Sequence, residues 1–558
     1  MRFTHHPALA ISLLLVPGAV ATLQHCTAED PCWPDDISWA QLNCTLQGRL
    51  VRSLPSAAPC HIPYYDAETC VTVKANWGNA ERRSQQPGAY QDLIWEDGDE
   101  PCYIDEPADV TCQQGLVPYY TAVVQSVEDV QAAVNFARDN SLRTRIKGAS
   151  HDFFGIQTIH MKGIIFEDSF VPAACDVAAQ RAVTVAAGES FSDLYKAADA
   201  HGVTVIGGGC FNVGAGGGWP IGGGHSFLSP HYGLGVDYIL QFSVVTADGE
   251  ARVVNECQDP DLFWAMRGGG GGFAVTTSVT YKTHPAIENT AFVLLSINTT
   301  GGAFTPTLSK FLEFQLTLAD ANFAGYSYLF PPASILGTYT LAHSDGNIAS
   351  ANATFEPLFQ YAQEHADQVS IGTNIVFVES QSTLYDQILP QTIPGLAGVF
   401  SILGPRLLPR SAFEGDENSQ ELAGFLSGMG LGNILLLVGG GEVNRPAPDA
   451  MGVNPGNTSI PDRNKMRENL TQKTQELAQF APGMGAYINE ADVVRNDFIS
   501  FTHFLLIIFF ILHLQNEPEW QKTFWGDNYE RLLEIKSKYD PTGVLTCGKC
   551  VGDDVFGS

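Results

Sequence analysis

The stretch "GGGCFNVGAGGGWPIGGGHSFLSPHYGLGVDYILQFSVVTADG", residues 207–249, decides how this chain is read. Glycines 207–209, 216–218 and 222–224 all fall inside it. Without a Cβ, glycine lets backbone N–H groups approach a ligand closely, and a succession of them forms a nest suited to a pyrophosphate. A flexible linker can be as glycine-rich, but it does not embed Cys, Phe, Trp and His among the glycines. The runs therefore read as packed, ligand-facing backbone. No G-x-G-x-x-G follows an early strand and opens a helix, which disfavours a Rossmann nucleotide domain. A fourth run, residues 268–272, follows in "DPDLFWAMRGGGGGFAVTTSVTYK".

Upstream, the chain alternates strands and helices. Residues 120–124 read as a strand. Ser126 and Asp129 form a capping box, and Val127, Val130, Val134 and Ala137 recur at helical spacing. Arg143 to Lys147 alternate like a strand. The order repeats with "RAVTVAAG", a second box at Ser190 and Asp193, the helical "LYKAADAHG", and "VTVIGGG". Such repeated units predict an α+β or α/β domain over 116–290. Downstream, "TAFVLLSI" reads as a strand, "TPTLSKFLEFQLTLA" as a helix and "AGYSYLFPPASILGTYTLAHS" as a strand pair. These predict an antiparallel-sheet domain with helices over 291–493. Residues 516–558 hold a last amphipathic helix, stopped by Asp540-Pro541 and Gly543.

The bulk numbers bound the function. The 558 residues suffice for two or more packed domains, and 45% are hydrophobic. Thirty basic against sixty acidic residues leave a net charge of -30, which argues against nucleic acid or an acidic membrane as partner. Residues 1–21, with a basic start, a short apolar run and Ala19-Val20-Ala21, read as a secretory signal rather than a spanning helix. Cys26, Cys32, Cys44, Cys60, Cys70, Cys102, Cys112 and Cys175 precede the glycine runs, and an oxidising compartment would pair them. Residues 22–115 are thus expected to be a disulfide-stapled cap. Asn43, Asn298, Asn352, Asn457 and Asn469 open glycosylation sequons, a short motif that also occurs by accident. Ser226 in "GHSFL" lacks the closing glycine of a hydrolase nucleophile elbow. Cys547 and Cys550 read as a terminal disulfide, having neither a thioredoxin context nor the second half of a zinc site.

Together "IKGASHDFFG", the 207–249 stretch, "DPDLFWAMRGGGGGFAVTTSVTYK", "GAYINEAD" and "FWGDNYERLLEIKSKYDPTG" resemble the berberine-bridge-enzyme-like branch of the vanillyl-alcohol-oxidase superfamily, in its fungal secreted form. The resemblance spans roughly 115–545. It implies an α+β fold: a two-part FAD-binding domain of the vanillyl-alcohol-oxidase type, an antiparallel-sheet substrate domain with helices, and a C-terminal segment packing back on the FAD domain. It implies FAD attached twice, through His151 and through Cys210. It places Lys147, Gly148, Ala149, Ser150, Gly155, Gly208, Gly209, Val213, Gly214, Gly217, Gly218, Gly223, Gly224, His225, Ser226 and Asn528 around the cofactor. It offers Tyr487 as the base that takes a substrate proton, assisted by Asn489. Where the family often has a second Tyr, this chain has Glu490, an alternative base. A Tyr487 that only packs a strand is the competing reading. With Cys210 on the flavin, eleven cysteines remain, and Cys257 is the one expected to stay free and buried.

Two departures from the family pattern stand out. Between "HDFFG" and "MKGIIFEDSF" only "IQTIH" remains, about ten residues short, so either a loop is trimmed or coding bases are skipped. The second departure is residues 494–515, which contain "FISFTHFLLIIFFILHLQ" and separate "GAYINEAD" from "NEPEW". A membrane span needs about twenty apolar residues and would divide Tyr487 from the last helix across a bilayer. A core helix would have no polar face. Valine codons begin GT and glutamine can be CAG, and pyrimidine-rich sequence reads out as Phe, Leu, Ile and Ser, so a translated intron of 22 codons is the favoured reading.

The expected protein is a secreted monomeric FAD oxidase. It takes a hydride from a C–H beside a hydroxyl or amine of a small molecule or sugar, and dioxygen becomes hydrogen peroxide. The alternatives are a dehydrogenase or cyclising oxidase of secondary metabolism, or a catalytically inactive secreted protein.

Overall fold

The computed structural model describes residues 25–93, 96, 102–148, 155–210, 212–389, 397–398, 404–429, 433–437, 442, 476–480, 486, 504–510 and 520–556. The expected leader lies outside them.

The capping box at Ser126 is formed. Its side chain accepts from the Asp129 N–H, and Asp129 returns a bond to the Ser126 N–H, each at 3.2 Å. The helix Val127–Asp139 that it starts buries Val130, Ala133, Val134 and Ala137. They pack on a four-stranded sheet in the order Leu50–Arg52, Tyr120–Val123, Gly155–Gln157 and Arg145–Lys147. The last three strands run parallel. The shortened passage after His151 therefore still supplies a strand, Gly155–Gln157.

A five-stranded antiparallel sheet follows, in the order Ile164–Phe170, Gln180–Ala186, Val275–Lys282, Ile239–Val245 and Ala251–Val254. The helix Phe191–Ala200, capped by Ser190, buries Phe191, Leu194, Tyr195 and Ala198 against it.

The third sheet has seven strands, every adjacent pair antiparallel: Val369–Val378, Thr290–Thr299, Ser334–Ala342, Ala324–Phe330, Asn433–Leu437, Phe504–Phe510 and Gly404–Pro409. Strand alternation splits its residues between two faces. Val293, Leu295, Ile297, Leu329 and Ile335 pack on one face in a core with Leu308, Phe311 and Leu312 of the helix Phe304–Asp320. Tyr326, Tyr328 and Phe330 belong to the other face.

Part of the anomalous block thus has a place. Phe504–Phe510 is neither helix nor span but a strand pairing with Asn433–Leu437 and Gly404–Pro409. Among the described residues, no helix is long and apolar enough to cross a membrane.

The final segment closes back on the first half of the chain. The Lys536 ammonium, 1% exposed, bonds Gly272 O at 2.6 Å, Leu545 O at 3.0 Å and Asp540 Oδ2 at 2.5 Å. Asp540 also accepts the Val544 and Leu545 N–H groups, both at 2.9 Å. A buried ion pair repays its desolvation only when its remaining donors and acceptors are satisfied, as these are. The pair ties the 268–272 glycine loop to the chain terminus.

Disulfides join Cys26–Cys32, Cys60–Cys70, Cys102–Cys112, Cys175–Cys257 and Cys547–Cys550. Cys257 is therefore not the free cysteine. It bonds Cys175 across 82 residues, and the cysteine left over is the exposed Cys44. The eight early cysteines do not form a closed set.

Candidate functional site

Trp219 organises the glycine runs. It stands on the short helix Gly218–Ile221, 8% exposed, with its ring edge-on to Phe191 at 4.8 Å. A Cβ on Gly224 would lie 2.8 Å from the Trp219 ring, and one on Gly208 would lie 3.0 Å from its Nε1. Gly216 is excluded from any larger residue by the Ala186 carbonyl at 2.6 Å. These glycines are demanded by protein packing. Gly217 is different: a Cβ there would meet nothing within 4 Å. The same holds for Gly268, whose φ of +115° favours glycine on its own account. Gly268 and Gly270 both donate to Ile221 O, at 3.0 and 3.1 Å, which ties the 268–272 loop to the end of the short helix that follows Gly217. Bare backbone beside open space, between two glycine loops, is a cradle.

Cys210 lies at the end of the 207–210 run. Among the described residues it and Cys44 are the only unpaired cysteines. Its thiol donates to Asn212 Oδ1 at 2.8 Å. Burial pushes the thiol above its ordinary value, with only a bond from the Asn212 backbone pulling it down. The group is thus a protonated thiol at neutral pH, and its reactive thiolate fraction grows with alkalinity. We expect iodoacetamide to alkylate Cys210 of flavin-free protein at a rate still rising at pH 9, followed by peptide mass spectrometry. A plateau below pH 8 would contradict the assignment.

The substrate-domain sheet supplies the opposite wall. The Tyr326 hydroxyl comes within 3.1 Å of where a Gly209 Cβ would sit, and its ring meets Phe227 edge-on at 4.9 Å. Tyr328 follows two residues later on the same face. Its hydroxyl is held well above the usual tyrosine value, first by burial and second by the negative charge Cys210 can carry. The Tyr195 hydroxyl donates to Gly208 O at 2.8 Å while its ring stacks on Tyr385 at 4.3 Å. Gln381 accepts from Val205 N at 3.1 Å and donates to Val205 O at 2.9 Å. These contacts lock the two domains together beside glycines 207–209. The sequence reading missed Tyr326 and Tyr328. Alternation marks a strand's two faces, but not which face meets the other domain.

Other expected residues divide. Gly155 has φ +103° and the Arg145 carbonyl 3.0 Å from any Cβ, so it is a packing glycine. Val213 bonds back to Cys210 O and accepts from Phe191 N, and Gly214 bridges to Ser190. The Gly223 and Gly224 carbonyls accept from Val236 N and Gly235 N. His225 is buried, edge-on to Tyr326. Ser226 Oγ accepts from Leu228 N, which makes it a turn former. Asn528 is exposed at the start of helix Tyr529–Tyr539 and makes no side-chain cap there.

Lys147 turns its side chain away into the N-terminal cap. Its Nζ donates to Gln86 O at 2.5 Å, Ala89 O at 2.8 Å and Arg83 O at 3.3 Å, over the Tyr90 ring. Burial brings its pKa down to about 7. Three carbonyls still need three N–H donors, which only the ammonium provides. Lys147 thus offers the site only its backbone and anchors its strand to the cap. Gly148 follows it. Ala149, Ser150, His151, Tyr487, Asn489 and Glu490 lie outside the described residues.

The bare backbone at Gly217 and Gly268, the unpaired Cys210 thiol and the nearby aromatic side chains suit an FAD cofactor. The comparisons agree. Residues 118–278 match the family model described as "FAD binding domain", and residues 486–548 match "Berberine and berberine like". An uncharacterized FAD-linked oxidoreductase of Arthroderma benhamiae is 34% identical, over 95% of this chain and 94% of its own. Among solved structures, a VAO-type flavoprotein of Myceliophthora thermophila C1 superposes with TM-score 0.80 at 25% identity, covering 95% of this chain and 97% of its own. Glucooligosaccharide oxidase from Acremonium strictum, which carries a 6-S-cysteinyl, 8α-N1-histidyl FAD, superposes at 0.63 with 18% identity, covering 87% and 98%. The fold, the glycine loops and these likenesses together place the chain in the berberine-bridge-enzyme-like, VAO-type family of FAD-linked oxidoreductases.

Proposed function

We propose that this protein is a secreted oxidase of a small organic substrate or sugar, with FAD held by His151 and Cys210 and hydrogen peroxide as second product. The observation that carries the reading is the unpaired, half-buried Cys210 thiol at the end of the 207–209 glycine run, where the Tyr326 hydroxyl approaches Gly209. FAD, when bound, supplies the hydride acceptor and passes the electrons to dioxygen. The chain supplies position and proton handling. The Gly217 and Gly268 backbones receive the cofactor, and the buried Tyr195–Gly208 bond keeps the loop before Cys210 from moving. Tyr328 flanks the substrate side. Tyr487, assisted by Asn489, takes the substrate hydroxyl or amine proton, with Glu490 as the alternative base.

Four disulfides among residues 26–257 and one at 547–550 support an oxidising compartment. The acidic surface supports neither nucleic acid nor membrane as partner. The sugar-oxidase likeness supports sugars as the first substrates to assay. A dehydrogenase of the same fold differs only in oxygen access.

Peroxide release over a panel of sugars and small alcohols tests the reading. Tyr487→Phe should lower kcat by about 10²- to 10⁴-fold, the usual share of a general base, with the flavin spectrum unchanged. Unchanged kcat would transfer the role to Glu490.

A further inference from the structure

We infer that Asn298 is a glycan-bearing residue and that its glycan forms the outer rim of the substrate face. The inference rests on the secretory reading above. Three sequon asparagines lie among the described residues, and their surroundings differ. Asn43 sits inside helix Asp36–Thr45 with its Oδ1 accepting from Leu50 N at 3.0 Å. Asn352 sits inside helix Ile348–Ala353 with its Oδ1 accepting from the Thr373 hydroxyl at 2.7 Å. The fold thus holds the amide oxygen of both side chains. Asn298 is exposed, one residue from the end of the strand Thr290–Thr299. Its side chain makes no hydrogen bond among the described residues. In its sequon, Asn298-Thr299-Thr300, the third residue is exposed as well, and a turn with Gly301 at φ +62° and Gly302 at φ +84° follows.

The register fixes which face Asn298 occupies. It pairs with Ser334 on one side and Ser370 on the other, and Ser334 pairs with Phe330. Paired residues share a face, so Asn298, Phe330 and Tyr328 point to the same side. Its neighbour Ile297 points the other way, into the helix-covered core. Two interstrand steps and one two-residue step along the strand put Asn298 about 12 Å from Tyr328. The side chains across from it are serines, too small to crowd a sugar. Phe330 and Leu336, 41% and 45% exposed, lie between Asn298 and the wall, so a glycan here covers open apolar sheet.

Attachment transfers an oligosaccharide from a lipid diphosphate donor of the secretory pathway. The C1–O bond to the diphosphate breaks and a C1–Nδ2 bond to Asn298 forms. The Nδ2 proton leaves with the diphosphate, and nothing is oxidised.

Glycopeptide mass spectrometry on the full chain secreted from a eukaryotic host tests this. The expected result is high occupancy at Asn298, exceeding that at Asn43 and Asn352. A bare Asn298 beside an occupied Asn43 or Asn352 overturns the inference. No glycan at any sequon would instead overturn the secretory reading beneath it. Removing the glycan by Asn298→Gln should raise kcat/KM severalfold for the longest active substrate of the panel and leave the smallest unchanged. Equal effects on both overturn the rim role. If Asn298→Gln does not accumulate, Thr300→Val removes the sequon and keeps the asparagine.

Discussion

The double variant His151→Ala, Cys210→Ala should contain no acid-stable flavin. Precipitated wild-type protein should stay yellow, each single variant should keep colour through its remaining link, and only the double should release FAD to the supernatant. In a chain with ten cysteines in disulfides, a half-buried thiol survives only where no second cysteine can reach it. Cys210 bonds Asn212 Oδ1 instead. The His151 side of the prediction comes from the strand Arg145–Lys147, which ends four residues before it and is pinned through Lys147 to three cap carbonyls. Covalent attachment requires a nucleophile held in place, and an anchored strand four residues upstream serves that need. A double variant that still held flavin through acid would sink both assignments.

Deleting residues 494–515 should raise the flavin content of secreted protein severalfold. The deletion joins "GAYINEAD" to "NEPEW" in the family's register. The full chain places Phe504–Phe510 between Asn433–Leu437 and Gly404–Pro409. Both flanking strands are antiparallel to it, so the slot accepts any extended segment of that direction. In the shortened chain the stretch around Tyr487 can take the slot, with Tyr487 and Asn489 on one face. The measurement is the flavin-to-protein absorbance ratio of the two secreted chains. If the shortened chain fails to secrete or to load flavin, the strand is integral and residues 494–515 are true coding sequence. Transcript reads across the codons for Asp492 and Asn516 give an independent answer.

What the sequence disclosed and what it withheld follow one line: local signals were readable and spatial choices were not. Ser126 with Asp129, and the stop at Asp540-Pro541, lie within a few residues of the helices they bound, and both are where the sequence puts them. The helix over "TPTLSKFLEFQLTLA" and the strand pair after it form as their periodicity dictates. Disulfide partners are a long-range choice. Cys175 reaches Cys257 because Asn255 ties the two segments, bonding Ala173 O at 3.0 Å and the Cys257 N–H at 2.9 Å, and no spacing rule contains that. Residues 504–510 are apolar at every position, so they carry no period with which to tell strand from helix. The glycines were readable as a class. Only the structure separates those that accommodate Trp219 from Gly217 and Gly268, which face open space.

The Lys536–Asp540 pair has a consequence for biosynthesis. The carbonyl of Gly272 finds its cation in a segment that leaves the ribosome more than 260 residues later. The glycine loop, though tied early to Ile221, therefore lacks its last tie until the chain is complete, however early residues 116–290 emerge. Cofactor loading is a step of the finished polypeptide, and a truncation near residue 530 should yield colourless protein even though every flavin-contacting residue before it has been translated.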